Sequence, residues 1–172
     1  MKIVQVVGYK NSGKTTLVEK IIQYGTWKGI QIGAIKHHGH GGPLEIGNGT
    51  DSVRHMEAGA FVSTVQGDGE IQLLAKGLDW DLYKILDLYN FFNMDTVIVE
   101  GYKSESFPKV VLIKERNDMH LLNELTNVVG AIFWDPKMRI IDNEMPTFTI
   151  KEEESFLQWL WEEVLTNHGK DV

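Results

Sequence analysis

Cysteine is absent from all 172 residues. That removes disulfides and thiolate metal centres and agrees with a reducing cytoplasm. Long apolar runs are absent too: none approaches the roughly 18 residues a membrane span needs. The chain starts straight into a strand with one lysine and no apolar leader. Neither a signal peptide nor a membrane partner is therefore expected, and the place of action is read as the cytoplasm. A positive surplus is also missing, because 17 Lys and Arg stand against 24 Asp and Glu, for a formal net charge of −7. A sequence-independent coat on nucleic acid needs the opposite sign, so no nucleic-acid partner is expected. Repeats, low-complexity tracts and domain linkers do not occur. The composition, 42% hydrophobic and 24% charged, is that of an ordinary globular protein, and residues 1–172 read as one domain.

What is present begins at Gly8. The stretch Gly8-Tyr9-Lys10-Asn11-Ser12-Gly13-Lys14-Thr15 matches G-x-x-x-x-G-K-[ST], the phosphate-cradling P-loop, at every fixed position. Gly8 and Gly13 allow a tight turn whose backbone N–H groups point at phosphate oxygens. Lys14 reaches the β and γ phosphates, and the Thr15 hydroxyl is placed to hold Mg²⁺. Lys2–Val7 before the loop reads as a buried strand and Thr16–Tyr24 after it as a helix. Strand, glycine loop and helix is the arrangement that aims a helix N-terminus at an anion. Lys10 and Lys14 make a basic pocket inside an acidic chain.

Further on, Ile30–Lys36 alternates like a second strand, with Gly25 and Gly29 as helix-ending and turn residues. His37–Thr50 is a long connection with glycine at 39, 41, 42, 47 and 49, a type that is usually functional or mobile. Thr50 or Asp51 caps a short helix through Met56. Phe61–Val65 and Glu70–Ala75 flank a glycine turn, Gln66–Gly69, as a hairpin. Asp79–Asn93 has one apolar helix face, with Asp79 as its cap. Asp95–Gly101, Lys109–Lys114 and Val128–Phe133 read as buried strands, and Ile140-Ile141 and Phe148–Ile150 as short extended pieces. The spacing of Phe156, Leu157, Leu160, Trp161 and Val164 predicts a helix over Glu152–Leu165. Trp159 and Trp161 lie on different sides of it, so both are not expected to face one core. Strands alternating with helices behind a P-loop argue for an α/β, three-layer P-loop NTPase fold with a mostly parallel central sheet plus the β-hairpin.

A P-loop site draws on a second metal partner at the end of a buried strand. Glu100 after Val97-Ile98-Val99 fits, bound directly or through water, and Gly101 allows close backbone approach to the phosphates. Asp51 is the second carboxylate that fits, with plain helix capping an equal alternative. His37, His38 and His40 follow a strand's carboxyl end. They fit a phosphate-side or partner contact better than a transition-metal shell, which lacks further ligands nearby. Lys36 reads either as a phosphate contact or as a surface charge.

These pieces, with Thr50-Asp51-Ser52-x-Arg54, Ala58-Gly59-Ala60 and Glu100-Gly101-Tyr102-Lys103, resemble the molybdopterin-guanine dinucleotide biosynthesis protein B family from residue 2 to about residue 165. The resemblance implies a P-loop adapter that binds GTP with Mg²⁺, hydrolyses it weakly and forms a homodimer. It implies assistance to the molybdenum cofactor guanylyltransferase that joins GMP to molybdopterin, with molybdopterin itself a candidate ligand. By position it puts Gly8–Thr16 at the phosphates, including Tyr9, Lys10, Asn11, Ser12 and Thr16. Thr15 and Glu100 then stand at the metal, and Asp51 with the histidines in a switch-like region. The family usually carries a Lys where this chain has Thr50. The Asn-Lys-x-Asp base-reading motif of ordinary GTPases is missing. Asp135 is left as either a guanine reader or a turn starter before Pro136. A small-molecule kinase and a nickel-inserting metallochaperone GTPase are the alternative functions the same residues allow.

Overall fold

The computed structural model of the chain describes residues 1–39, 49–77, 79–141 and 145–168. It divides into two compact units, one of Met1–Gly39 with Leu86–Val172 and one of His40–Ile85.

The first unit is built on a six-stranded sheet. β1 (Lys2–Val7), β2 (Ile32–Lys36), β5 (Thr96–Glu100), β6 (Lys109–Ile113), β7 (Val128–Phe133) and β8 (Thr147–Thr149) run in the order β2-β5-β1-β6-β7-β8. Every neighbouring pair is parallel. β5 and β6 are buried along their whole length. That is why they read as continuous apolar runs rather than alternating ones. On one face Val4, Val6, Ile98, Val110 and Ile132 meet helix α1 (Lys14–Trp27) and the C-terminal helix. On the other, Val7, Val111, Ile113 and Phe133 pack with Leu121 of the short helix α4 (Leu121–Glu124). Helix α3 (Leu82–Phe91) sets the Tyr89 ring over Gly33. The Tyr89 hydroxyl donates to the Ala34 carbonyl at 2.6 Å, and burial raises its pKa.

Several expectations shift. α1 runs on through Gly25, which is buried inside it. A Cβ there would lie 2.2 Å from the Trp161 indole, so this glycine makes room for a ring rather than ending the helix. Gly29, at φ 79°, makes the turn instead. α3 starts at Leu82, not Asp79, because the Asp81 carboxylate takes the Lys84 amide at 2.8 Å. Among the described residues Ile140-Ile141 joins no strand, and the Ile140 carbonyl accepts from the Thr147 hydroxyl at 2.9 Å. The C-terminal helix is α5 (Glu153–Trp159), continued in π-helical geometry over Leu160–His168. Trp161 is buried in the main core, and Trp159 packs against the same core through Phe148 and Phe156. Both rings therefore reach one core, because Trp161 lies over α1 while Trp159 covers Gly130 of β7.

The second unit holds α2 (Asp51–Glu57) and the antiparallel hairpin β3 (Val62–Gly67) with β4 (Glu70–Ala75). Gln66 and Gly67 pair with Ile71 and Glu70. The turn thus shrinks to Asp68-Gly69, both at positive φ, the two-residue type that matches strand twist. Among the described residues no helix is long and apolar enough to cross a membrane.

Candidate functional site

The phosphate loop joins β1 to α1 at the carboxyl end of the sheet, where open α/β folds place their ligands. Gly13, at φ 89°, precedes the first residue of α1. The first amides of a helix have no intrahelical acceptor and are available to an anion. Asn11 also sits at positive φ, 60°. Ser12 is buried, and its hydroxyl has no hydrogen-bond partner among the described residues. From outside, the Trp134 indole N–H donates to the Ser12 carbonyl at 2.9 Å and the Lys114 ammonium to the Asn11 carbonyl at 3.1 Å. Lys114 lies 5.3 Å from the centre of the Trp134 ring. These two braces hold the crest of the loop, and nothing in the sequence spacing pointed to either.

Lys14 donates to the Tyr9 carbonyl at 2.7 Å. Burial lowers its pKa most, Glu100 opposes that shift and Lys36 adds to it. Thr15 and Glu100, separated by 85 positions, come together: the Thr15 hydroxyl lies 3.2 and 3.0 Å from the two carboxylate oxygens. Lys36 completes the group, its ammonium 3.1 Å from the Thr15 hydroxyl and 3.3 Å from Glu100 Oε1. The register explains the meeting, since Lys36 pairs with Glu100 across β2 and β5. Lys36, expected as a phosphate contact or a surface charge, forms a salt bridge to the strand-end acid with its side chain 59% exposed. A cation already stands between the two side chains expected at a metal. Hydroxyl and carboxylate oxygens are hard donors of the kind Mg²⁺ takes, with phosphate and water completing its shell. The residues present fit that ion.

The turn after Glu100 is held from below. Gln5 is fully buried in β1, and its amide donates to the Gly101 and Tyr102 carbonyls at 3.0 and 2.6 Å. Gly101 lies against His37, where a Cβ would come within 3.1 Å of the histidine's own Cβ. His37 extends the β2–β5 ladder by donating its N–H to the Glu100 carbonyl at 2.9 Å, and its ring packs on Tyr102 at 4.3 Å. His38 is exposed, and His40 lies outside the described residues. Among the described residues no three His, Cys, Asp or Glu side chains are grouped to hold a metal ion. Asp51 belongs to the other unit, where it pairs with Arg54 at 3.4 Å with 82% of its side chain exposed. Thr50, not Asp51, occupies the cap position of α2. Thr16 is exposed in the first turn of α1. Beside it, Gly13, Trp134, Ile150 and Phe156 help to line a mostly apolar pocket of about 290 Å³. Asp135 serves as a turn starter, accepting the Lys137 amide at 2.9 Å.

A buried parallel strand, a glycine turn, a helix and an acid on the adjacent strand define the P-loop nucleoside-triphosphatase fold class. Within that class, the family described as molybdopterin guanine dinucleotide synthesis protein B matches residues 3–134, and the chain belongs to it. It is 40% identical over 147 residues to a probable molybdopterin-guanine dinucleotide biosynthesis adapter protein of Bacillus subtilis, covering 85% of this chain and 84% of that one. The crystal structure of Bacillus subtilis MobB superposes with a TM-score of 0.81 at 36% identity, covering 94% of this chain and 96% of that one. A MobB homologue from Bacillus stearothermophilus gives 0.76 at 36% identity, over 95% and 97%.

Proposed function

We propose that the chain is a GTP-binding adapter with slow, Mg²⁺-dependent GTPase activity that assists the guanylyltransferase forming molybdopterin guanine dinucleotide. The observation that carries the reading is the meeting of Lys14, Thr15 and Glu100 at one end of the sheet, within 3.2 Å for the Thr15–Glu100 pair. Family membership supplies the pathway. Thr15 and Glu100 would hold Mg²⁺, directly or through water, and the ion neutralises charge on the β and γ phosphates. Lys14 exchanges the Tyr9 carbonyl for phosphate oxygens, and the first amides of α1 receive the rest of the charge. Asp51 or Glu100 orients the attacking water. The pocket beside Thr16 and Trp134 receives the base. GTPases lacking a supplied arginine are slow, so turnover below about one per second is expected.

Calorimetric titration of GTP, ATP and GDP with and without Mg²⁺ tests this. GTP should bind more tightly than ATP, and Mg²⁺ should strengthen GTP more than GDP; a preference for ATP would overturn the reading. The same titration on Lys36→Ala should show a lower Mg²⁺ half-saturation, by about threefold to tenfold, because a competing ammonium is gone. An unchanged Mg²⁺ requirement would remove Lys36 from the site.

We assign the homodimer to the hairpin unit. Val62, Ile71 and Leu73, which share one face of the hairpin, are about half exposed or more, and Phe61 at the hairpin's base is 67% exposed. An apolar, open strand pair of this kind is a pairing surface. Sedimentation equilibrium should give a dimer that Ile71→Lys with Leu73→Lys converts to monomer. A wild-type monomer at tens of micromolar would contradict the assignment.

A further inference from the structure

On the side of the phosphate loop away from the apolar pocket lies a cleft of about 440 Å³, a volume typical of small-molecule sites. One wall is the outer edge of the loop, Tyr9, Lys10, Asn11 and Ser12; the other follows β6, from Lys114 through Asn117 to His120. The roles given above to Lys14, Thr15 and Glu100 leave it unused.

Its polar groups converge. Lys10 is exposed and has no hydrogen-bond or ion-pair partner among the described residues. Lys114 spends one of its three donors on the Asn11 carbonyl. The Tyr9 hydroxyl is 2.9 Å from His120 Nε2, with the two rings tilted at 46°. His120 Nδ1 bonds the Asn117 carbonyl. A carbonyl only accepts, so Nδ1 carries the hydrogen, and in the neutral ring Nε2 accepts the tyrosine O–H. Acids are present but engaged or peripheral. Asp118 is buried, with its Oδ2 receiving the Lys114 and Glu115 amides at 2.9 Å each. Glu124 lies 3.8 Å from His120 Nε2, and Glu115, which lines the cleft, has its carboxylate taking the Asp118 amide in a capping box. With the Tyr9–His120 pair engaged with itself and the Asn117 carbonyl, the cleft offers the ammoniums of Lys10 and Lys114 and the carboxamide of Asn117 to one volume.

We propose that this cleft is a second anion site, which takes the phosphate of a small phosphomonoester while the phosphate loop holds its own ligand. Two ammoniums and a carboxamide suit a dianion with three free oxygens better than a carboxylate, which presents two in one plane. Tyr9–Ser12 form one wall of the cleft and the phosphate loop at once. Two bound phosphates would thus be neighbours across a single thickness of backbone. That adjacency rests on the nucleotide reading; the cleft does not.

The test is calorimetric titration of inorganic phosphate and of phenyl phosphate into the full chain in three states: without nucleotide, with saturating non-hydrolysable GTP analogue and Mg²⁺, and as Lys14→Ala. The expected result is one saturable site for phenyl phosphate in all three states. Asn117→Asp, which replaces a donor by a carboxylate, should weaken it about tenfold, with nucleotide affinity unchanged. Phosphate that nucleotide displaces, or that Lys14→Ala abolishes while Asn117→Asp has no effect, is entering only the phosphate loop and overturns the proposal. Binding of inorganic phosphate without phenyl phosphate overturns the ester, and no saturable heat in any state overturns the site. If nucleotide itself fails to bind, the proposed function falls, while the nucleotide-free and Lys14→Ala titrations still decide the cleft.

Discussion

Replacing Lys14 with alanine is expected to weaken Mg²⁺–GTP binding by at least a hundredfold in calorimetry while leaving the fold intact. A hydrogen bond to a charged group is worth about 1.5–3 kcal/mol, and the ammonium reaches oxygens of two phosphates, so two to four decades are at stake. The fold loses little, because the one hydrogen bond the ammonium makes among the described groups is to the Tyr9 carbonyl. The direction of its pKa shift makes this sharper. Burial, the largest cause, lowers the Lys14 pKa, Glu100 partly restores it and Lys36 lowers it further. The unfolded chain therefore holds the proton more tightly than the folded one, and stability gains as pH rises from the lowered pKa to the ordinary lysine range. Below that window the charged side chain opposes folding. Nucleotide-free Lys14→Ala should unfold at or above the wild-type temperature near neutral pH, with the difference closing in alkaline solution. A drop of several degrees at pH 7 would give Lys14 a structural role instead.

The second large effect is on stability. Trp161→Ala should cost about 3–5 kcal/mol, the range for removing a buried large aromatic, read as a lowered denaturation midpoint with an unchanged slope. The ring is 4% exposed, yet its indole N–H finds no partner among the described residues. Trp161→Phe removes that buried donor and should therefore cost clearly less than the alanine change. Gly25 supplies the cross-check. Glycine inside a helix costs about 0.5–1 kcal/mol relative to alanine, and here it is retained because the indole fills the space a Cβ would need. Gly25→Ala should destabilise the wild type by more than it destabilises Trp161→Ala, where Ile32 Cδ1, 2.5 Å from the new Cβ, must still give way. If the two changes simply add, the ring and the glycine are not coupled.

Which parts of this molecule could be read from its residues follows from how local their causes are. The phosphate loop was legible because its geometry is set within eight residues. β5 and β6 were legible because strands covered on both faces are apolar at every position. Glu100 was legible as the acid ending such a strand. Lys36 was weighed and left open, since its partner is chosen by the β2–β5 register, which no local pattern encodes. Trp134, Lys114 and Gln5 act on the loop and on the Gly101–Tyr102 turn from 122, 103 and 96 or more positions away, and were invisible. Gly25 was misread for the same reason: its Cβ space is claimed by a ring 136 positions later (161 − 25). The aspartate cap moved from Asp79 to Asp81 because two candidate carboxylates stood close together, and only backbone direction decides between them.

The pairing of Lys36 with Glu100 has one more consequence. A positive and a negative side chain at facing ends of two neighbouring strands offset one another's charge. Free divalent ion arriving alone must evict an ammonium from a carboxylate, an exchange with little net gain. An ion arriving with a triphosphate brings the anion that the evicted lysine can then face. On the proposed reading of a Mg²⁺–GTP site, the two strand ends would work as a coincidence detector, answering to magnesium and triphosphate together rather than to either alone.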